Sequence, residues 1–232
     1  PRGRRLDYRM SASLERLRAL NPDLDIRPVE DPGFARYGRI LTEHDFRSLI
    51  DLVRDFPVPS ATNTYMPEIP ASRDMAIHEE LAASLYGEMP IQIGFGGGHC
   101  LSLNALEWHK GNEVNVAVTE FVVMLASLED LEGGFLDSGK VRTFHLGQGQ
   151  AVELYGTTLH YSPCNVDAKP FRMLVVLPQG TNLPLAGRRE PGDLLMARNK
   201  WLIAHPEAKG EIAEGARVAI QGFGNVGDAA AR

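Results

Sequence analysis

The chain has 232 residues, is 44% hydrophobic and carries a formal net charge of -6. That is enough apolar material for one large or two small domains with a core of their own, and the acidic balance argues against a nucleic-acid partner. Two cysteines, Cys100 and Cys164, fit reduced thiols in a cytoplasmic protein better than a disulfide framework, and no run of about 18 apolar residues marks a membrane span.

In chain order, Pro1-Arg-Gly-Arg-Arg is basic with no apolar run behind it, and Met10 precedes Ser-Ala-Ser. Residues 1–9 therefore read as a non-native or disordered extension, with a short basic arm as the other reading. Leu14, Leu17 and Leu20 recur three apart behind Ser11 and Ser13, which predicts a short capped helix stopped by Asn21-Pro22. Phe46, Leu49, Ile50 and Val53 predict a helix over 41–55 with Thr42 as its cap; Pro57 and Pro59 end it. Prolines at 57, 59, 67 and 70 make 57–72 an ordered loop or wrapped arm, and Met75 to Tyr86 predicts a further helix closed by Gly87. Residues 10–88 thus form a helical and extended region packed on whatever follows.

From Met89 the texture turns to short strands and Gly-rich turns. Ile91–Phe95, Leu101–Trp108, Glu113–Leu125, Lys140–Leu146, Gln150–Tyr155 and Phe171–Leu177 read as strands; Gly96–Gly98 and 131–139 read as turn and loop. Short strands without intervening helices predict an antiparallel sandwich or barrel of jelly-roll type over 89–205. Asp193 to His205 looks helical or mixed, and 206–232 reads as a terminal strand and tail, of foreign origin on one reading.

Two stretches carry the chemistry. Asn104 to Asn115 holds Glu107, His109 and Glu113, and Gly149 to His160 ends on a second imidazole. Side chains two apart on a strand share a face, so Glu107 and His109 point inward together while Trp108 points out. Lys110-Gly-Asn supplies a turn that returns Glu113, and His160 comes from a facing strand after Gly156-Thr-Thr. Mixed nitrogen and oxygen donors of this kind suit one divalent ion: zinc, manganese, iron, cobalt or nickel. Glu107 either ligates or orients His109.

These stretches resemble the two cupin motifs. Glu107-Trp-His109-Lys-Gly-Asn-Glu113 is similar to the HxH-x(3,4)-E element with Glu in place of the first His. Gly149 through His160 is similar to G-x(5)-P-x-G-x(2)-H, with Tyr155-Gly156-Thr157 where Pro-x-Gly is usual. Met89-Pro-Ile-Gln-Ile-Gly, Asn104-Ala-Leu-Glu-Trp-His-Lys, Val152 through Cys164 and Ala197-Arg-Asn-Lys-Trp-Leu-Ile-Ala-His-Pro resemble an uncharacterised bacterial family of cupin-like proteins catalogued as a domain of unknown function. The resemblance spans about residues 12–206 and implies a cupin barrel, a metal site and a homodimer.

Glu153, on the strand leading to His160, is the expected proton shuttle beside a metal-bound carbonyl, with Lys110 as an acid or electrostatic partner. Tyr155, Tyr161 and Arg172 are the expected contacts to sugar hydroxyls. The reading is a metal-dependent cupin enzyme acting on a small carbohydrate or sugar derivative, an aldose–ketose isomerase or epimerase. An Fe(II) dioxygenase and a non-catalytic metal- or sugar-binding cupin are the alternatives. His44, His78 and His205 read as structural or surface residues, Cys164 as a buried thiol, and His145 as a substitute ligand should its strand face the barrel interior.

The tail Gln221-Gly-Phe-Gly-Asn-Val-Gly227 resembles the dinucleotide-binding turn of glutamate dehydrogenases. A Rossmann unit needs a helix, a second strand and an acidic residue about 20 positions on; the sequence stops at Arg232, so no NAD is expected.

Overall fold

The computed structural model describes residues 11–60, 62–187, 193–208 and 217–221. In chain order these form helix α1 (Ala12–Leu20), strands β1 (Ile26–Pro28) and β2 (Gly38–Ile40), helix α2 (Arg47–Val53), strand β3 (Thr64–Met66) and helix α3 (Ala76–Tyr86). Strands β4 (Ile91–Gly98), β5 (Ala105–Trp108), β6 (Glu113–Ala117), β7 (Phe121–Ser127), β8 (Leu131–Glu132), β9 (Phe135–Asp137) and β10 (Arg142–Leu146) follow. The chain continues through β11 (Ala151–Leu154), β12 (Thr158–Leu159), β13 (Cys164–Asn165), β14 (Phe171–Pro178), β15 (Leu195–Ala197), β16 (Lys200–Ala204), β17 (Arg217–Val218) and β18 (Ile220–Gln221).

One wall is the sheet β2-β11-β6-β14-β4-β3, antiparallel throughout. The other runs β1-β10-β7, with β12 and β13 both on β7. A mutual pair of backbone hydrogen bonds between Glu107 and His160 ties the end of β12 to β5, and β5 pairs with β16. The fold is mainly β, an antiparallel jelly roll, as the strand pattern predicts. Val152, Leu154, Met173 and Val175 of the first wall and Phe121, Val123, Leu125 and Phe144 of the second belong to one apolar core. On the other face of the first wall, Val114, Val116, Leu174 and Val176 pack with Leu49 and Val53 of α2 and Leu81 of α3. The six-stranded sheet is therefore covered on both sides, and every residue of β6 and β11 is buried. No helix of the described residues is long and apolar enough to cross a membrane.

Several local expectations hold. Ser11 caps α1 by accepting from the Leu14 amide, and Gly87 closes α3 at φ +59°. Others are corrected. The helix over 41–55 shrinks to α2, because the Glu43 and Asp45 carboxylates take the Thr42 and Arg47 amides and hold 41–46 in bends. The wrapped arm 57–72 contains the edge strand β3, and β4 runs straight through the supposed turn Gly96–Gly98. A Cβ on Gly94 would stand 2.5 Å from the Met66 carbonyl oxygen, so glycine there lets β3 lie alongside. The run 113–125 breaks into β6 and β7, and 131–139 holds the hairpin β8–β9.

The largest correction is at 193–205, which is not helical. Leu195 pairs with Trp201 and Ala197 with Lys200, so Arg198 and Asn199 form a two-residue hairpin turn with Asn199 at φ +56°. The predicted terminal strand is present as β17 and β18, on β16 and β9. The extension 1–9 and the Gly222–Gly227 turn lie outside the described residues.

Candidate metal centre

β5 delivers Glu107 to the barrel interior and turns Trp108 away, where its ring stacks on Trp201 at 6.4 Å between centroids. His109 follows at once, and the turn 110–112 brings the chain back into β6 at Glu113. That turn is locked to the second motif. Asn112 Oδ1 accepts from the Gly156 amide at 3.0 Å, and Asn112 Nδ2 donates to Glu153 Oε1 at 2.8 Å. Gly111 sits at φ +121° under the Pro178 ring, a backbone shape that glycine adopts without strain. His160 then arrives one residue beyond β12.

The four side chains converge. Glu107, His109 and His160 each offer a ligand atom within 4.8 Å of the others, and Glu113 Oε2 lies 3.3 Å from His109 Nε2 and 3.1 Å from His160 Nε2. All four are buried. Their orientation is set from behind. His109 Nδ1 donates to the Asn199 carbonyl at 2.7 Å and His160 Nδ1 to the Thr158 carbonyl at 3.0 Å. A carbonyl can only accept, so each ring carries a proton on Nδ1 and turns Nε2 to the centre, the orientation metal-ligating histidines use once that nitrogen gives up its proton. Asn115 Nδ2 holds the other Glu113 oxygen at 2.6 Å.

His109 Nε2 is a buried atom with no hydrogen-bond partner, and Glu107 Oε2, buried as well, has the Lys200 ammonium against it. An orphaned imidazole nitrogen facing a second imidazole and two carboxylates fits a divalent cation, and nitrogen and carboxylate ligands suit the first-row transition ions. Burial opposes charge on both Glu113 and His160, and their attraction outweighs it. The Glu113 carboxyl is held well below the usual range, and the His160 imidazole is raised to about 9.

The centre forms the floor of a cavity of about 340 Å³ lined by Glu107, Glu113, His160, Tyr161 and Lys200, among others. Phe171, Met173 and Val175 make an apolar side; Asn63, Tyr65 and Asn182 make a polar one. The phenol of Tyr65 accepts from Asn182 Nδ2 at 3.2 Å; although the residue as a whole is 41% exposed, desolvation of its hydroxyl end and then the two glutamates raise its pKa. The Lys200 ammonium contacts Glu107 Oε2 and stands 5.6 Å over the Tyr161 ring.

Of the residues the sequence nominates, Glu107, His109, Glu113 and His160 come together and Tyr161 lines the cavity. The others do not. Glu153 pairs in register with Val114, on the face opposite Glu113, and its carboxylate goes to Arg39 Nε at 2.6 Å and to Asn112. Lys110 is exposed, with its ammonium 5.6 Å over Trp201 outside the cavity. Tyr155 and Arg172 do not line the cavity; the Tyr155 amide donates to Tyr37, and an Arg172 guanidinium nitrogen to the Phe56 carbonyl. His145 pairs with Glu120 at 3.3 Å, away from the centre. Sequence reasoning missed Lys200 and Asn199, although both stand in the string Ala197-Arg-Asn-Lys-Trp that carries the family resemblance.

A jelly-roll barrel with an interior His/Glu cluster is the arrangement that the sequence resemblance to cupins implies. Residues 26–225 match the model described as Domain of unknown function (DUF4867), and the chain belongs to that family. The match extends to residue 225, into the segment set apart as a tail. No curated protein is similar to the chain. Among solved structures, it is similar to oxalate decarboxylase of Bacillus subtilis in a study of its Mn(II) centres, at 15% identity over 42% of this chain and 24% of that one, with a TM-score of 0.30. The same enzyme at pH 4.6 gives 15% identity, 42% and 23% coverage and a TM-score of 0.30. The chain thus spans about a quarter of the length of those structures.

Proposed function

We propose that the protein binds one divalent transition-metal ion through Glu107, His109, Glu113 and His160 and acts on a small carbohydrate or sugar derivative as an aldose–ketose isomerase or epimerase. The observation that carries this reading is the convergence of two Nδ1-anchored imidazoles and two carboxylates on the floor of a polar cavity. A bound divalent ion supplies Lewis-acid polarisation of adjacent C–O groups. Around it, the chain's own groups divide the work. Phe171, Met173 and Val175 offer an apolar wall to the C–H face of a sugar, while Asn63, Tyr65 and Tyr161 offer hydroxyl partners. Lys200 takes the place of Glu153 as the proton-holding group: its Nζ stands beside the cavity, against Glu107 Oε2.

The test is to follow metal-loaded protein by NMR in D2O with a panel of aldoses and ketoses, free, phosphorylated and carboxylate-bearing. Deuterium entering at C2, with interconversion, is expected. A panel left unchanged sinks the isomerase reading. The trio Glu107, His109 and His160 is also a two-His-one-carboxylate set, which favours a second reading as an Fe(II) dioxygenase. Oxygen uptake on adding Fe(II) and substrate, without C2 exchange, would select it.

A further inference from the structure

The charge of the cavity says what kind of sugar derivative it accepts. Among the described residues, its charged lining side chains are Glu107, Glu113 and Lys200; the rest of that lining is neutral or an imidazole whose Nε2 faces the centre. With a divalent ion held there, the two carboxylates cancel the ion and the Lys200 ammonium is the surplus charge. That ammonium stands at the cavity wall with its side chain only 21% exposed. An ammonium has three N–H donors, and its described carboxylate partner is the single oxygen Glu107 Oε2. A ligand filling the cavity removes the remaining water from Lys200. A neutral sugar would displace that water and leave the site one positive charge in excess, at a cost of desolvation. A singly negative ligand restores the balance. A phosphate monoester, near two negative charges at neutral pH, overshoots it.

We infer that the cavity takes a small hydroxy-carboxylate, a sugar acid or shorter hydroxy acid, with its carboxylate against Lys200 and its hydroxyls toward the Asn63, Tyr65 and Tyr161 side. This rests on the metal-centre reading and narrows its substrate class. Lys200 is then the residue that separates acids from the neutral sugars they derive from.

The experiment is calorimetric titration of zinc-loaded protein, zinc content measured on the same sample, with matched pairs: gluconate against sorbitol and glycerate against glycerol. A charged hydrogen bond of this kind predicts carboxylates binding about 10-fold tighter or more than their polyols. Lys200→Met should erase the difference and Lys200→Arg should retain most of it. Equal affinity within the pairs overturns the inference, as does tighter binding of glycerol phosphate than of glycerate, or no detectable binding of either carboxylate at millimolar concentration. The preference is read first on the wild-type protein, so loss of zinc from a variant cannot shield it. Absence of zinc from the wild-type sample would instead break the metal-centre reading.

Discussion

Glu113 and Glu153 lie on neighbouring strands one rung apart, and they are buried alike, at 6% and 5% exposure. Glu113 faces the barrel interior, where two imidazoles and an asparagine amide surround it. Glu153 faces the helical side, where the guanidinium of Arg39 and the amide of Asn112 hold it. One step along a strand converts a group at the candidate metal centre into a structural tie. Burial and residue type are the same on both sides of this sheet, so the partners each face offers decide the role. The outer glutamate still serves the inner one, because Asn112 bridges Glu153 to the turn that carries Glu113 into place.

The contrast breaks most sharply at the metal. His160→Ala and Glu113→Gln should each lower metal affinity by at least about 100-fold, beyond the loss seen when an orienting partner is removed. Glu153→Gln should leave metal content at the wild-type level, as mass-spectrometric metal analysis would show. Equal metal in His160→Ala and wild type would remove the centre altogether.

Acid–base behaviour sharpens the same contrast. His160 is raised from its ordinary 6.5 to about 9 by Glu113 despite burial. A raised pKa stabilises the folded metal-free protein fully below pH 6.5, and that stability is lost as pH climbs to about 9. The depressed Glu113 describes the same attraction and is not counted twice. Denaturant unfolding of metal-free protein should therefore fall by up to about 3 kcal/mol across this window. Loading with zinc should flatten the profile, since ligation already demands the neutral ring. A metal-free profile that rises over the window would contradict the pairing.

On the outer side, Glu153→Ala should cost about 1–3 kcal/mol in urea unfolding through lost charged hydrogen bonds, with metal stoichiometry intact. The smallest expected effect is Asn199→Ala. It strains a left-handed turn and drops the side-chain bonds to Lys110 and Thr181 while keeping the carbonyl that holds His109. A weakening of metal binding by about 10-fold is expected, at the lower end of the range for an orienting partner. An unchanged affinity would show that the backbone alone positions the ring.

Much of this was legible in the residues. The two-residue alternation put Glu107 and His109 on one face, and the turn at Lys110-Gly-Asn returned Glu113 to it. What hid Glu153 was the cover on both faces of the sheet. Ala151, Val152, Glu153 and Leu154 are all buried, so the alternation of apolar and polar side chains that normally marks an inward face is gone. Which face β11 turns inward is decided by α2 and α3, distant in the chain. Lys200 was hidden differently. Leu194-Leu195-Met196-Ala197 has strong helix propensity, and only pairing of the adjoining strand with β5 makes the segment a hairpin. The jelly roll itself needed no such help, because its strands are short, β-branched and punctuated by glycine.

The hydrogen bond from His109 to Asn199 joins residues 90 positions apart, which gives the centre a place in time. While the chain is being made, the first motif and His160 emerge long before the hairpin that anchors His109 and brings Lys200 to the wall. Closing so long a loop is among the slower steps of folding. The barrel can assemble around an unfinished centre whose last wall docks only afterwards. The complete constellation therefore exists only in chains synthesised past residue 200 and folded there.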